Sequence, residues 1–504
     1  MLLGIVAFAL VLVITDPPGP GLDPDALAYL GSAESLAASG SYRVPTAKWW
    51  NADSTEALAH FPPGYSTALA IPLRAGMSPT NAARLLQAIA AFITTATLVL
   101  LVADATSAIA AILLAVALFA NSAMHEVHVS VLSEPMFLAC LALTLAAMVR
   151  APDRPLRAGI PAAIGILTRY AGAALVGAVV LWALARKGSL AERLRRAAIA
   201  LAPAVVLQGA WVLRTRQVAG TKEIRKFALY GNLGATLREG AATVGQWLVP
   251  DPAIDGEVMP HHDAIALAAL GALAILVLLG LWHAWHPRWK WGRDADAEGD
   301  DSMREVRRLL SAAGLLLGCY AGVIGLSRIV ADPRIPFDDR ILAPALVLGA
   351  TIAAVAIACW WRRTHVDVAR VAVAGALLGW LAAAGTVTWM QASYVLDEGS
   401  DLAGKAWRNS ALVDWARHDG ARVPLYSNWP SALWFQLHRP VRELPRDRDA
   451  RTLAAFADTL RARGGMVAMY TASSPEFAPL ESLRKVQGLR VVRRVGDGVV
   501  IGVR

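Results

Sequence analysis

Residues 264–283 read AIALAALGALAILVLLGLWH, twenty consecutive positions without a lysine, arginine, aspartate or glutamate. A run of this length and polarity, apolar on every helical face, suits a helix surrounded by lipid and not the amphipathic helix of a soluble protein. The same reading extends along the chain. Further apolar runs lie at about 1–15, 81–103, 105–122, 134–149, 158–169, 170–185, 197–213, 309–329, 341–361 and 371–391. The first is short, lacks a basic start and is read as an uncleaved helix. Those ending at 169 and beginning at 170 are both short, and they are expected to meet as two helices at Arg169. The count predicts a polytopic α-helical membrane protein of about 11 transmembrane helices.

Composition agrees. Of 504 residues, 56% are hydrophobic and 17% charged, against the ~25% charged of ordinary soluble chains. The mean hydropathy is +0.46. The net charge of +9 follows from basic loops retained on the cytoplasmic side rather than from a nucleic-acid surface. Loop 150–157 carries Arg150, Arg154 and Arg157, loop 186–196 carries Arg186, Lys187, Arg193, Arg195 and Arg196, and loop 360–370 carries Arg362, Arg363 and Arg370. All three fall on one side of an eleven-span count, which makes that side cytoplasmic. Cys140, Cys319 and Cys359 lie in apolar segments, so no disulfide framework is expected.

The opposite, outer side then receives loops 16–80, 122–133, 214–263 and 330–340, and everything after Ser393. The sequence divides into a membrane region, 1–392, and a C-terminal soluble α/β domain, 393–504. Beyond 400 the pattern alternates: strands are expected at 422–427, 441–444, 466–470, 489–494 and 499–504. Helices are expected at 401–418, 430–438, 451–463 and 475–486. The Gly496-Asp497-Gly498 turn marks a hairpin.

The outer loops hold the chemistry. Loop 16–80 is far longer than a connection needs and contains Asp23, Asp25, Tyr29, Glu34, Trp49, Trp50, Asp53 and His60; its stretch 25–40 has helical spacing. Loop 122–133 contains His125, Glu126 and His128. Glu134 stands where an apolar run begins, a costly position unless the carboxylate pairs or faces water. Ser133 and Pro135 beside it also make a good helix start. Arg169 interrupts an apolar stretch and needs a partner of its own: a carboxylate, water at a helix break, or an anionic ligand.

Six motifs occur in order: Asp25-Ala26-Leu27-Ala28-Tyr29 followed by Gly40; Phe61-Pro62-Pro63-Gly64-Tyr65; Ser133-Glu134-Pro135-Met136-Phe137; Leu167-Thr168-Arg169-Tyr170-Ala171-Gly172; Asp339-Arg340-Ile341-Leu342-Ala343-Pro344; and, after the membrane region, Tyr426-Ser427-Asn428-Trp429-Pro430. In this order they resemble the GT-C glycosyltransferases of the protein-mannosyltransferase and aminoarabinose-transferase type. The resemblance implies transfer of a sugar from a polyprenyl-phosphate donor to an acceptor glycan, lipid or protein, at the outer face of the cytoplasmic membrane. By position it makes Asp25 the catalytic acidic residue. Relatives often carry a second acid where this chain has Ala26, and a tyrosine where it has Ile341.

The chemistry asks for the same groups independently. An acceptor hydroxyl must lose its proton as it attacks, work for a carboxylate base. Charge growing on the departing phosphate needs arginine, lysine, histidine or a divalent ion. Asp25 and Glu134 can each supply that carboxylate; the resemblance makes Asp25 the expected base, with inversion, and leaves Glu134 as a second acid. Arg169, Arg340, Lys222 and Arg225 are the cationic candidates, and Tyr29, His60, His128 and Tyr170 the further substrate contacts. A divalent cation (Mg or Mn) is an allowed cofactor, although the spacing of His60, His125 and His128 is not that of a metal motif. The rival reading is a transporter or flippase of lipid-linked glycans. It would call for two halves with matching interrupted helices, and the sequence shows no such symmetry.

Overall fold

The computed structural model describes residues 1–219, 229, 233–250, 261–286, 297–330, 335–472, 474 and 476–503. Its contacts separate two compact units, Met1–Ile14, Arg84–Val129 and Ser133–Val395 in the first, Thr15–Ala83, Ser130–Leu132 and Leu396–Arg504 in the second.

All described secondary structure of the first unit is helical. Six helices are individually long and apolar enough to cross a membrane: Pro79–Ala105, Leu190–Val218, His262–Trp285, Met303–Val330, Asp339–Arg363 and Asp367–Glu398. A seventh crossing arises if Ala108–Phe119 and Ser122–Val129, bent by 63° at their junction, form one span. The remaining apolar runs fold as the shorter helices Leu2–Ile14, Glu134–Arg150, Pro155–Thr168 and Tyr170–Ala185. Every apolar run of the sequence is thus helical, while the length criterion alone yields six or seven spans. The outward faces remain apolar: on the helix quoted first, Leu267, Ile275 and Leu278 are largely exposed. Such a surface is stable against hydrocarbon and not against water.

Small residues bring these helices close. Gly280 on His262–Trp285 lies so near the Ala356 carbonyl of Asp339–Arg363 that a Cβ would fall on it. Gly159 meets the Ala200 carbonyl of the next long helix in the same way. Close backbone approach through small residues is how membrane helices gain van der Waals contact. Between the helices, Leu141, Leu145, Leu175, Leu316 and Val347 form part of one buried apolar cluster.

The second unit carries the strands β1 (Arg43–Val44), β2 (Thr46–Ala47), β3 (Glu56–Ala57), β4 (Leu425–Ser427), β5 (Val441–Glu443), β6 (Met466–Tyr470), β7 (Leu489–Val495) and β8 (Gly498–Val503). Six of them form one sheet in the order β2-β5-β4-β6-β8-β7. β2, β5, β4 and β6 run parallel, and β8 and β7 close the sheet as an antiparallel hairpin. The chain leaves β4 for β5 on one side, then returns past β4 to β6 on the other. Two right-handed crossovers in opposite directions require helices on both faces. Accordingly Leu453, Phe456 and Leu460 of helix Ala450–Arg463 pack with Tyr426, Val467 and Met469 in one core, while helix Ala411–His418 contacts β6 and β8 outside that core.

β2 belongs to the long first loop, which the sequence reading left with the membrane region. Thr46 pairs with Val441, and its hydroxyl donates to the Val441 carbonyl at 2.8 Å. Arg442 donates to the Asn51, Ala52 and Asp53 carbonyls at 2.7, 3.0 and 2.7 Å, and Arg463 to those of Trp49 and Trp50 at 3.1 and 3.2 Å. Two arginines of the C-terminal residues thus satisfy the backbone of residues 49–53, which connect the paired strands β1 and β3 of that loop.

A buried carboxylate with two arginines

Three polar residues from distant parts of the first unit converge. Glu134 opens the helix Glu134–Arg150 and is 2% exposed. Its Oε1 lies 2.6 Å from Arg169 Nη1 and accepts from Arg340 Nε at 3.2 Å. Arg169 is 16% and Arg340 21% exposed. A charged carboxylate in so apolar a setting persists only when paired and hydrogen-bonded, and here two guanidiniums serve one carboxylate.

Local sequence explains how each reaches the spot. Arg169 is a single extended residue (φ −146°, ψ 137°) between helix Pro155–Thr168 and the short 3-10 turn Tyr170–Gly172. The chain can reverse there because position 172 is glycine: a Cβ would collide with the backbone of Gly165 and Ile166. Arg340 sits in the first turn of Asp339–Arg363. That turn is fixed by Asp338, whose side chain accepts from the Ile341 amide at 2.9 Å, and by Trp247 Nε1, which donates to Asp339 Oδ1 at 2.7 Å. Burial pushes the Asp338 carboxyl above its ordinary range, with the Ile341 amide and Arg340 pulling it back. The wall is completed by Tyr320, whose hydroxyl donates to the Ile341 carbonyl at 2.6 Å and whose ring lies 6.1 Å from that of Phe137.

Some expectations change. Ser133 makes no side-chain cap; its hydroxyl accepts from Arg169 Nη1 at 3.1 Å and donates to Glu134 Oε2 at 3.4 Å. Tyr170 flanks the break, with 39% of its surface exposed. His128 is buried, its Nδ1 bonded to the Met124 carbonyl at 2.8 Å, and the Nε2 atoms of His125 and His128 meet no hydrogen-bond partner among the described residues. Among the described residues no three His, Cys, Asp or Glu side chains assemble as a metal ion requires. Lys222 and Arg225 lie outside the described residues. Asp338 and Tyr320 went unremarked in the sequence. The paired Asp338-Asp339 ahead of Arg340 was a signal for the first; nothing in an apolar span marks the second.

Asp25, Tyr29 and His60 belong to the second unit. Asp25 stands half-buried at the N-terminus of helix Ala26–Ser39, which ends at Gly40 in the left-handed region (φ +74°). Its side chain makes no cap hydrogen bond, and its amide donates to Asp23 Oδ1 at 2.9 Å. Asp25 therefore does not act as a hydrogen-bonding cap of this helix. Tyr29 is buried with its ring 5.1 Å from both Phe61 and Tyr65, so the Phe61-Pro62-Pro63-Gly64-Tyr65 motif packs against the helix that Asp25 precedes. His60 is exposed, edge-on to Phe61 at 5.0 Å.

Residues 60–211 match the family model of the dolichyl-phosphate-mannose-protein mannosyltransferases. No curated protein sequence matches. Among solved structures, arabinofuranosyltransferase AftD from Mycobacteria superposes with a TM-score of 0.55 at 16% identity, covering 100% of this chain and 41% of that one. The chain thus spans about two fifths of AftD. ArnT from Cupriavidus metallidurans gives 0.47 at 15% identity, over 99% of this chain and 97% of that one. Archaeal oligosaccharyltransferase AglB from Archaeoglobus fulgidus, solved with an inhibitory peptide and a dolichol-phosphate, gives 0.48 at 13%, over 92% and 69%. The AftD superposition establishes a shared architecture; at this identity it speaks for the fold.

Proposed function

We propose that this chain, a GT-C-type membrane protein by architecture and by its match to the mannosyltransferase family over residues 60–211, transfers a sugar from a polyprenyl-phosphate donor to an acceptor at the outer face of the cytoplasmic membrane. The observation that carries the proposal is the Glu134–Arg169–Arg340 cluster. Two guanidiniums gathered at helix ends in an apolar unit suit a ligand that arrives from the bilayer and bears its charge at a phosphate. Arginine is the residue for that task, because its planar fork can hold two phosphate oxygens at once.

In this reading Arg169 and Arg340 bind the donor phosphate and stabilise the charge that grows as the bond between the anomeric carbon and the phosphate oxygen breaks. Asp25 takes the proton of the acceptor hydroxyl or amine as its oxygen or nitrogen bonds to the anomeric carbon from the opposite side, which gives inversion. Glu134 was expected from sequence as a second acid. With Oε1 engaged by both arginines we assign it instead to positioning them. The basic loops 150–157, 186–196 and 360–370 support the orientation.

The test is turnover. Purified protein is incubated with a panel of labelled polyprenyl-phosphate sugars, and release of polyprenyl phosphate is measured. At least one donor is cleaved, and Asp25→Asn lowers the rate by the roughly 10²–10⁴ that general-base loss costs. Failure to cleave any donor overturns the transferase reading; an undiminished Asp25→Asn overturns the base assignment.

A further inference from the structure

Three stretches of the second unit, remote from one another in sequence, meet in a narrow sheet-like contact. Gly21-Leu22 lies in the middle. The Gly21 carbonyl accepts from the Val131 amide at 2.8 Å on one side, and the Leu22 carbonyl accepts from the Leu402 amide at 3.1 Å on the other. Asp401 joins the outer two: its Oδ2 accepts from the Ser130 hydroxyl at 2.7 Å. A Cβ at position 21 would fall on both atoms of that bond, so the chain passes beneath it as glycine. Val131 and Leu402 are buried, which shields their amide bonds from water.

The Asp401 carboxylate does more than a chain turn needs. After helix Asp367–Glu398 the chain turns through Gly399 (φ +79°) and Asp401 (φ +50°). Glycine or asparagine would serve that backbone equally well. Aspartate adds an anionic acceptor, and it bonds a serine 271 positions away. A residue in the left-handed region persists where its surroundings over-determine it. Here the Asp401 carbonyl accepts from the Gly404 amide at 3.1 Å, its side chain is held by Ser130, and the next amide by Leu22.

Asp25 follows Leu22 by three residues, and the chain between them is fixed. Asp23 Oδ1 accepts from the Asp25 amide at 2.9 Å, and the Asp23 carbonyl from the Ala26 amide at 2.8 Å. Pro24 has its φ set by its ring. A shift at Leu22 therefore carries to Asp25, and a base displaced by about 1 Å can lose roughly 10² in rate. We infer that Asp401 is a positioning residue: through Ser130 and its own neighbour Leu402 it sets where the Asp25 carboxylate stands. The effect on catalysis rests on the function proposed above; the clamp does not.

The test uses the full-length chain in lipid nanodiscs. Asp401→Gly keeps the left-handed backbone and removes the carboxylate, Asp401→Asn keeps an acceptor oxygen for Ser130, and Ser130→Ala removes the donor. Amide hydrogen exchange over residues 21–26 and 130–132 is expected to quicken by roughly tenfold or more in Asp401→Gly and in Ser130→Ala. It quickens no further in their combination and stays close to wild type in Asp401→Asn. With a donor that the wild type cleaves, kcat falls by roughly tenfold or more in Asp401→Gly and Ser130→Ala and is largely retained in Asp401→Asn. Affinity for polyprenyl phosphate, assigned above to Arg169 and Arg340, is unchanged. Unaltered exchange in Asp401→Gly overturns the clamp. Quickened exchange with undiminished kcat, or a loss of phosphate affinity that matches the loss of kcat, overturns the positioning role and leaves a structural turn. A wild type that cleaves no donor sinks the transferase, while exchange still decides the clamp.

Discussion

Glu134 offers the sharpest test of how the first unit is held together. Its Oε1 serves Arg169 at 2.6 Å and Arg340 at 3.2 Å, and the carboxylate is 2% exposed. With charge centres about 4 Å apart, each pair gains roughly 4 kcal/mol at the effective dielectric suited to such sites. Desolvation of all three ions offsets much of that, so removing one partner of a buried pair costs about 3–5 kcal/mol. The arginines remain 16% and 21% exposed, and water screens them in part. Glu134→Gln, which keeps the shape, is therefore expected near the lower end, about 3 kcal/mol. Arg169→Met leaves the carboxylate with Arg340 and costs about 2 kcal/mol by the same reasoning. The double variant removes both members of the shorter pair and is expected to cost about 2 kcal/mol less than the sum of the singles. Unfolding free energies from SDS titration in mixed micelles, followed by helical circular dichroism, supply the cycle. Additivity within about 0.5 kcal/mol would show the pair to be uncoupled and refute the structural role of Glu134.

Two further outcomes follow from the same geometry. Gly280→Ala places a methyl on the Ala356 carbonyl and is expected to destabilise by about 1–3 kcal/mol, as overpacking does; the same substitution at Gly271, which faces open space, serves as control in the same titration. A cysteine at exposed Ala421 is expected to react with a membrane-impermeant maleimide on intact cells, and one at exposed Ser189 only after lysis; reaction of both from one side would break the orientation.

What was legible in the sequence follows from length scales. Apolar runs such as 264–283 fix helices because lipid permits little else, and all of them are helical. The break at Arg169 was readable because an arginine cannot sit unpaired in a continuous apolar helix. The identity of its partner was not readable, because Glu134, Arg169 and Arg340 are 35 and more residues apart and meet only through helix packing. The short strand β2 was hidden for a similar reason. Two residues, Thr46 and Ala47, carry no periodicity, and they become a strand only because β5 offers an edge. Strand β6, by contrast, was placed at 466–470 because it is a compact apolar run bounded by glycine and polar turn residues. Ser133 shows how local rules mislead: Ser-Glu-Pro is a sound helix start, yet the hydroxyl serves a distant arginine.

The measurement that bears most directly on the proposed function is the affinity of the purified chain for polyprenyl phosphate itself, in wild type, Arg169→Lys and Arg169→Ala. Lysine keeps the charge but loses the two-pronged grip, so affinity is expected to fall in the order wild type, Arg169→Lys, Arg169→Ala, with binding of an uncharged acceptor little changed. Equal affinity in wild type and Arg169→Ala would contradict the account and leave this arginine as a structural partner of Glu134.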